Sequence, residues 1–186
     1  MKPNYLLDSN KKPILVECEF ETEDFFKQHS KKIIDCYNKN ISKAEEINVY
    51  SVHYPPAVEE LKDKFTKAMN DIFYSNSKKS YELECYAYIQ TCKKYRSVMH
   101  CHALNKNNPK ICSTFYSNMP EEGGEFCFLY EGEEVCIKPR VNTLYIFSSF
   151  LNHKPMPHKG EETRICINTD FFTSNKSIFK EFDHYW

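Results

Sequence analysis

From residue 81 onward the chain runs in short apolar stretches separated by turn residues. The stretches 81–92, 111–117, 125–130, 134–138, 143–148 and 164–172 are rich in aromatic and β-branched residues. Glu121-Glu122-Gly123-Gly124 and Glu131-Gly132-Glu133 punctuate them and read as hairpin turns. Many short strands in succession predict an all-β sandwich or barrel rather than alternating βαβ units. Upstream the period changes. Residues 1–13 are polar with two prolines and read as an irregular lead-in, and Ile14 to Phe20 reads as a first strand. Phe26, Ile33, Ile34, Tyr37 and Ile41 then recur at helical spacing after a Thr22 N-cap, predicting a helix over 23–39. A β-like run over 47–54 ends at Pro55-Pro56. Val58, Leu61, Phe65, Met69, Ile72 and Phe73 form the stripe of a second helix whose charged face is most simply solvated. The expected class is α+β, mainly β: two N-terminal helices packed on one sheet of a β core. One domain is expected over 1–186, with 1–80 as support and 81–175 as the core that carries the site.

Composition narrows the class of function. At 186 residues with 41% hydrophobic and 27% charged positions, the chain can bury a sizeable core and is not of disordered type. A net charge of −1 supplies no basic field for nucleic acid. Aromatic residues reach 15%, which suits strands and an aromatic-lined cavity. Nine cysteines form an odd set, no leader-like or membrane-length apolar segment opens the chain, and no Cys-x-x-Cys pair is present. A cytoplasmic protein with reduced thiols is therefore expected, with no membrane partner and no zinc knuckle. The cysteines at 92, 101, 112, 127, 136 and 166 read as small apolar strand residues.

Candidate chemistry concentrates between His100 and Phe171. In an extended segment residues i and i+2 face the same side, so His100 and His102 can meet one ion while Cys101 faces away. Taken alone, His-x-His is as readily two unrelated histidines. His153 follows the 143–148 strand and precedes Lys154-Pro155, and strands distant in sequence lie side by side in a sandwich, so it is a reasonable third ligand. Arg164 opens an otherwise apolar strand, where a guanidinium needs an anionic partner and best fits a carboxylate. The plainer alternative is a strand-edge arginine facing water. His29, His53, His158 and His184 receive no role.

The span 86–172 resembles the double-stranded β-helix (jelly-roll, cupin-like) core of Fe(II)- and 2-oxoglutarate-dependent dioxygenases, particularly the prolyl-hydroxylase-like branch. The likeness rests on an ordered set. His100-Cys101-His102 is followed by Phe115-Tyr116-Ser117-Asn118 and Gly123-Gly124-Glu125-Phe126. Ile137-Lys138-Pro139, Leu144-Tyr145-Ile146-Phe147, His153, Pro155 and Arg164 complete it. The resemblance implies a hydroxylase-type oxidoreductase with Fe(II) on His100, His102 and His153. It also implies 2-oxoglutarate on Arg164 with a hydrogen bond from Tyr116, and it allows ascorbate as an auxiliary reductant. A peptide or protein side chain, or a small molecule, is the implied substrate. The family carries a carboxylate where this chain has His102. Three imidazoles raise the charge of the site by one unit relative to two imidazoles and a carboxylate, and they also suit zinc. His102 as a ligand, His102 off the metal, and loss of iron all remain open; the i, i+2 geometry favours the first. The alternative function is a non-catalytic or zinc-binding module on the same fold.

Overall fold

The computed structural model describes residues 4–7, 9, 11–19, 49–52, 82–90, 98–102, 110–159, 161–162 and 164–172. Every regular element among them is a strand: β1 (Asn4–Leu7), β2 (Pro13–Glu19), β3 (Val49–Val52), β4 (Glu82–Gln90), β5 (Lys110–Asn118), β6 (Phe126–Tyr130), β7 (Glu133–Ile137), β8 (Thr143–Ser148), β9 (His153–Pro155) and β10 (Arg164–Phe172). Seven form a large sheet in the order β1-β2-β8-β5-β10-β4-β3, and three form a small sheet in the order β7-β6-β9. All pairings are antiparallel. Both predicted helices, 23–39 and the one beginning at Val58, lie outside the described residues, as do His29, His53, Cys92 and His184.

The alternation within each strand sorts side chains between two faces. Leu15, Cys112, Tyr116, Tyr145, Phe147 and Cys166 of the large sheet form one buried cluster with Phe126 and Phe128 of the small sheet. Val16, Phe115, Leu144, Ile146 and Ile167 alternate with these and are also buried. All six residues of β8 are buried, so this strand is covered on both sides, which explains its unbroken apolar run.

Three expectations require correction. The lead-in is not irregular, because β1 pairs with β2 and forms an edge strand with Tyr5, Leu6 and Leu7 exposed. β2 and β3 fall on the expected runs Ile14–Phe20 and 47–54, and β1, β2 and β3 all belong to the large sheet. Glu121–Gly124 does not close a hairpin; it carries the chain from β5 in the large sheet to β6 in the small one. There Gly124 N–H donates to Pro157 O at 3.1 Å and Lys159 N–H to Glu122 O at 3.2 Å. Gly123, at φ +77°, comes so close that a Cβ would stand 2.5 Å from Pro157 O. Finally, the thiols are not all reduced: Cys127 and Cys136 stand opposite each other in the β6–β7 register and form a disulfide. Cys127 is buried but Cys136 is exposed, so only the former fits the apolar reading. The second predicted turn stands, since Glu131 and Gly132 both take positive φ, 51° and 86°, in the two-residue link between β6 and β7. No helix among the described residues is long and apolar enough to cross a membrane.

Candidate metal centre

His153 opens β9, and β9 is held by pairing with β6, where Phe128 lies opposite His153. On its other side β9 meets the segment carrying the remaining histidines. His100 N–H donates to His153 O at 3.0 Å, His153 N–H returns to His100 O at 2.8 Å, and His102 N–H donates to Ser149 O at 2.9 Å. The extended segment predicted for His100–His102 thus serves as a further edge of the small sheet, and Cys101 between the two is exposed. The three imidazoles converge: ring centroids are 5.4 Å apart for His100–His102, 4.6 Å for His100–His153 and 5.0 Å for His102–His153. One nitrogen from each lies within 4.8 Å of the others.

The outer partner of each ring bears on which nitrogen is available. His100 Nδ1 lies 2.9 Å from Val98 O and His153 Nδ1 lies 2.8 Å from Leu151 O. His102 Nδ1 lies 3.3 Å from Asp170 Oδ1. A carbonyl or carboxylate can only accept, so each Nδ1 serves as the donor and each Nε2 keeps its lone pair. That tautomer suits ligation through Nε2, with the second nitrogen anchored. The donor set fits a divalent transition ion such as iron or zinc.

The environment keeps His153 neutral. It is 5% exposed and packs against Phe147 at 4.8 Å and Phe126 at 5.3 Å between ring centroids. Burial pushes its pKa down to about 3, the neighbouring His102 and His100 adding to the effect while the hydrogen bond to Leu151 opposes it. A ligand that carries no proton at neutral pH needs no proton displaced when an ion binds.

Arg164 begins β10 and is 4% exposed. Its Nη2 donates to Tyr116 Oη at 3.2 Å, its Nη1 to Cys166 Sγ at 3.4 Å, and its guanidinium carbon stands 5.0 Å over the Tyr116 ring. The strand-edge, solvent-facing alternative is therefore excluded. Burial pushes the Tyr116 phenol far above its ordinary value despite the opposing pull of Arg164, so it stays protonated and able to donate. Gly124 borders this arginine, since a Cβ there would meet Arg164 Cδ at 3.4 Å. A cavity of about 190 Å³ opens elsewhere, bordered by Tyr5, Leu15, Glu17, Lys138 and Tyr145, and includes none of the histidines.

All five residues singled out from the sequence occupy these two clusters, and two polar neighbours were missed. Asn168 and Asp170 share the face of β10 that Arg164 and Cys166 occupy, by alternation along the strand. Asn168 Oδ1 is buried without a hydrogen-bond partner among the described residues. Counting in twos from Arg164 would have found both. His158, given no role, is buried at 3% and bridges Gly123, a structural position.

Solved structures share this fold. No family model matches the sequence, and no curated protein matches it. A prolyl-4-hydroxylase from Pseudomonas putida aligns with TM-score 0.59 at 18% identity, over 87% of this chain and 94% of its own. The fold is that of the prolyl hydroxylases. A Trichoplax adhaerens prolyl hydroxylase, solved with a hypoxia inducible factor oxygen degradation domain peptide fragment, aligns with TM-score 0.59 at 15% identity, over 84% of this chain and 83% of its own. HygX from Streptomyces hygroscopicus, solved with nickel, 2-oxoglutarate and hygromycin B, aligns with TM-score 0.55 at 12% identity, over 87% and 83%. A 2OG-Fe(II) oxygenase family member from Burkholderia pseudomallei is also among the neighbours. The jelly-roll expectation for the core agrees with this fold.

Proposed function

We propose that the chain is an Fe(II)- and 2-oxoglutarate-dependent oxygenase that hydroxylates a peptide side chain or a small molecule. One observation carries the reading: three imidazoles with anchored Nδ1 atoms converge on a common point, in a fold shared with 2-oxoglutarate oxygenases. His100, His102 and His153 would hold Fe(II), which when bound supplies the oxygen chemistry that no side chain can. The work of the other residues is binding and orientation. Arg164 presents a planar fork to the distal carboxylate of 2-oxoglutarate, and its burial strengthens that contact. Tyr116, neutral and already bonded to Arg164, donates to the same carboxylate. Phe126 and Phe147 hold the ring of His153 and keep water from its buried side.

The substrate class follows from likeness alone: the Trichoplax enzyme was solved with a peptide and HygX with hygromycin B. A second reading, a zinc-holding module without turnover, is favoured by the donor set itself, because three neutral imidazoles also suit zinc. Succinate formation from 2-oxoglutarate, with Fe(II), ascorbate and oxygen but no added substrate, separates the two. Slow succinate release that disappears in Arg164→Ala is expected. No release, together with tightly held zinc, would favour the module.

A further inference from the structure

We propose that Asp170 is a positioning residue for His102. It would restore, behind that ring, the negative charge that a His-x-His site lacks. The inference rests on the metal reading above and concerns a residue that the sequence pattern did not flag.

Asp170 lies in β10 opposite Cys112 of β5, on the face that points toward the small sheet. Its Oδ1 is 3.3 Å from His102 Nδ1, and Cys112 Sγ is 3.5 Å from the same nitrogen. Two groups of potential ligands exist here, His100-His102-His153 and His102-Cys112-Asp170, and they share only His102. The carboxylate therefore sits on the Nδ1 side of His102, outside the convergence point of the three rings. His100 and His153 lean on backbone carbonyls, whereas His102 alone among the three leans on a charged acceptor.

An anionic acceptor does three things to an imidazole: it fixes the Nδ1–H tautomer, it sets the ring orientation, and it makes Nε2 a stronger donor. It also offsets the additional positive charge of a site built from three neutral ligands. The competing interpretation is an ordinary surface ion pair, since the two side chains are 19% and 24% exposed. A surface pair would leave metal affinity untouched.

The test uses the full chain in metal-free form, with cobalt(II) titrated by visible absorption and imidazole ¹⁵N shifts read before metal is added. Asp170→Ala should weaken cobalt binding by roughly 10- to 100-fold. It should also release the Nδ1–H tautomer of His102 while His100 and His153 keep theirs. Asp170→Asn keeps an acceptor oxygen without charge and should fall between wild type and Asp170→Ala; it serves as the decisive variant if alanine impairs folding. Wild-type affinity in Asp170→Asn would overturn the proposal, as would loss of the tautomer at all three histidines together. If wild type itself takes up no cobalt, the metal reading fails and this inference with it. If wild type binds and the variants match it, this inference alone fails.

Discussion

The buried neutral imidazole of His153 should make the metal-free protein sensitive to mild acid. In the unfolded chain this histidine titrates at its ordinary value of 6.5, whereas in the folded protein burial holds it near 3. The folded state therefore resists a proton that the unfolded state accepts. The stability linked to this residue is fully present above pH 6.5 and is lost as pH falls from there toward 3. At pH 5 the gap exploited is 6.5 minus 5, or 1.5 units, worth about 2 kcal/mol at roughly 1.4 kcal/mol per unit. At 5% exposure, solvent screening gives little reason to discount that figure. Urea unfolding with EDTA at pH 7.5 and pH 5.0, on wild type and His153→Gln, isolates the effect. Glutamine costs packing at both pH values but does not titrate, so only the change with pH is compared. Wild type should lose about 2 kcal/mol more than the variant on acidification. An identical pH dependence in the two proteins would show that His153 does not carry the acid sensitivity.

Three further outcomes follow from the geometry. Gly123→Ala should cost about 2–4 kcal/mol in thermal unfolding, because positive φ and backbone atoms at 2.5 and 2.6 Å leave no room for a Cβ. An unchanged melting temperature would contradict the close approach of 122–124 to 157–159. Arg164→Lys, which keeps the charge but loses the fork, should weaken 2-oxoglutarate binding by calorimetry about 10- to 100-fold, whereas unaltered affinity would remove Arg164 from the co-substrate site. Thiol titration of denatured protein should yield two more thiols after reduction than before, and Cys127→Ser should cost at most about 2–3 kcal/mol for a bridge spanning nine residues. Equal thiol counts would show that the pair is not bonded.

Which features were legible in the sequence depended on whether they are set locally. The strands at 13–19, 82–90, 110–118, 126–130, 133–137, 143–148 and 164–172 lie within a residue or two of the expected runs, because a strand with one or two buried faces writes its alternation into the sequence. β1 lacks that mark: all four residues are exposed, and it exists by pairing with β2. β9 has three residues, too few for a period. Gly123-Gly124 gave the correct backbone freedom and the wrong connection, since positive φ serves a crossing between sheets as well as a hairpin. The Cys127–Cys136 bridge is a consequence of register, which residue types alone do not encode. At the site, His100 and His102 were visible by their spacing and Arg164 by the oddity of a charge on an apolar strand. Tyr116 came from the ordered resemblance, and His153 from its place after the 143–148 strand, which the resemblance reinforced. Asp170 shares the period-2 face of Arg164, but its partner, His102, lies 68 residues away in sequence, so no local pattern joins the two.

Metal stoichiometry of anaerobically purified protein decides whether the three histidines form a metal centre. Elemental analysis after incubation with Fe(II) and desalting should give about one iron per chain in wild type, falling to background in His100→Ala and His153→Ala while both variants remain folded. No bound metal in wild type, or an unchanged metal content in His153→Ala, would contradict a centre built on these three histidines.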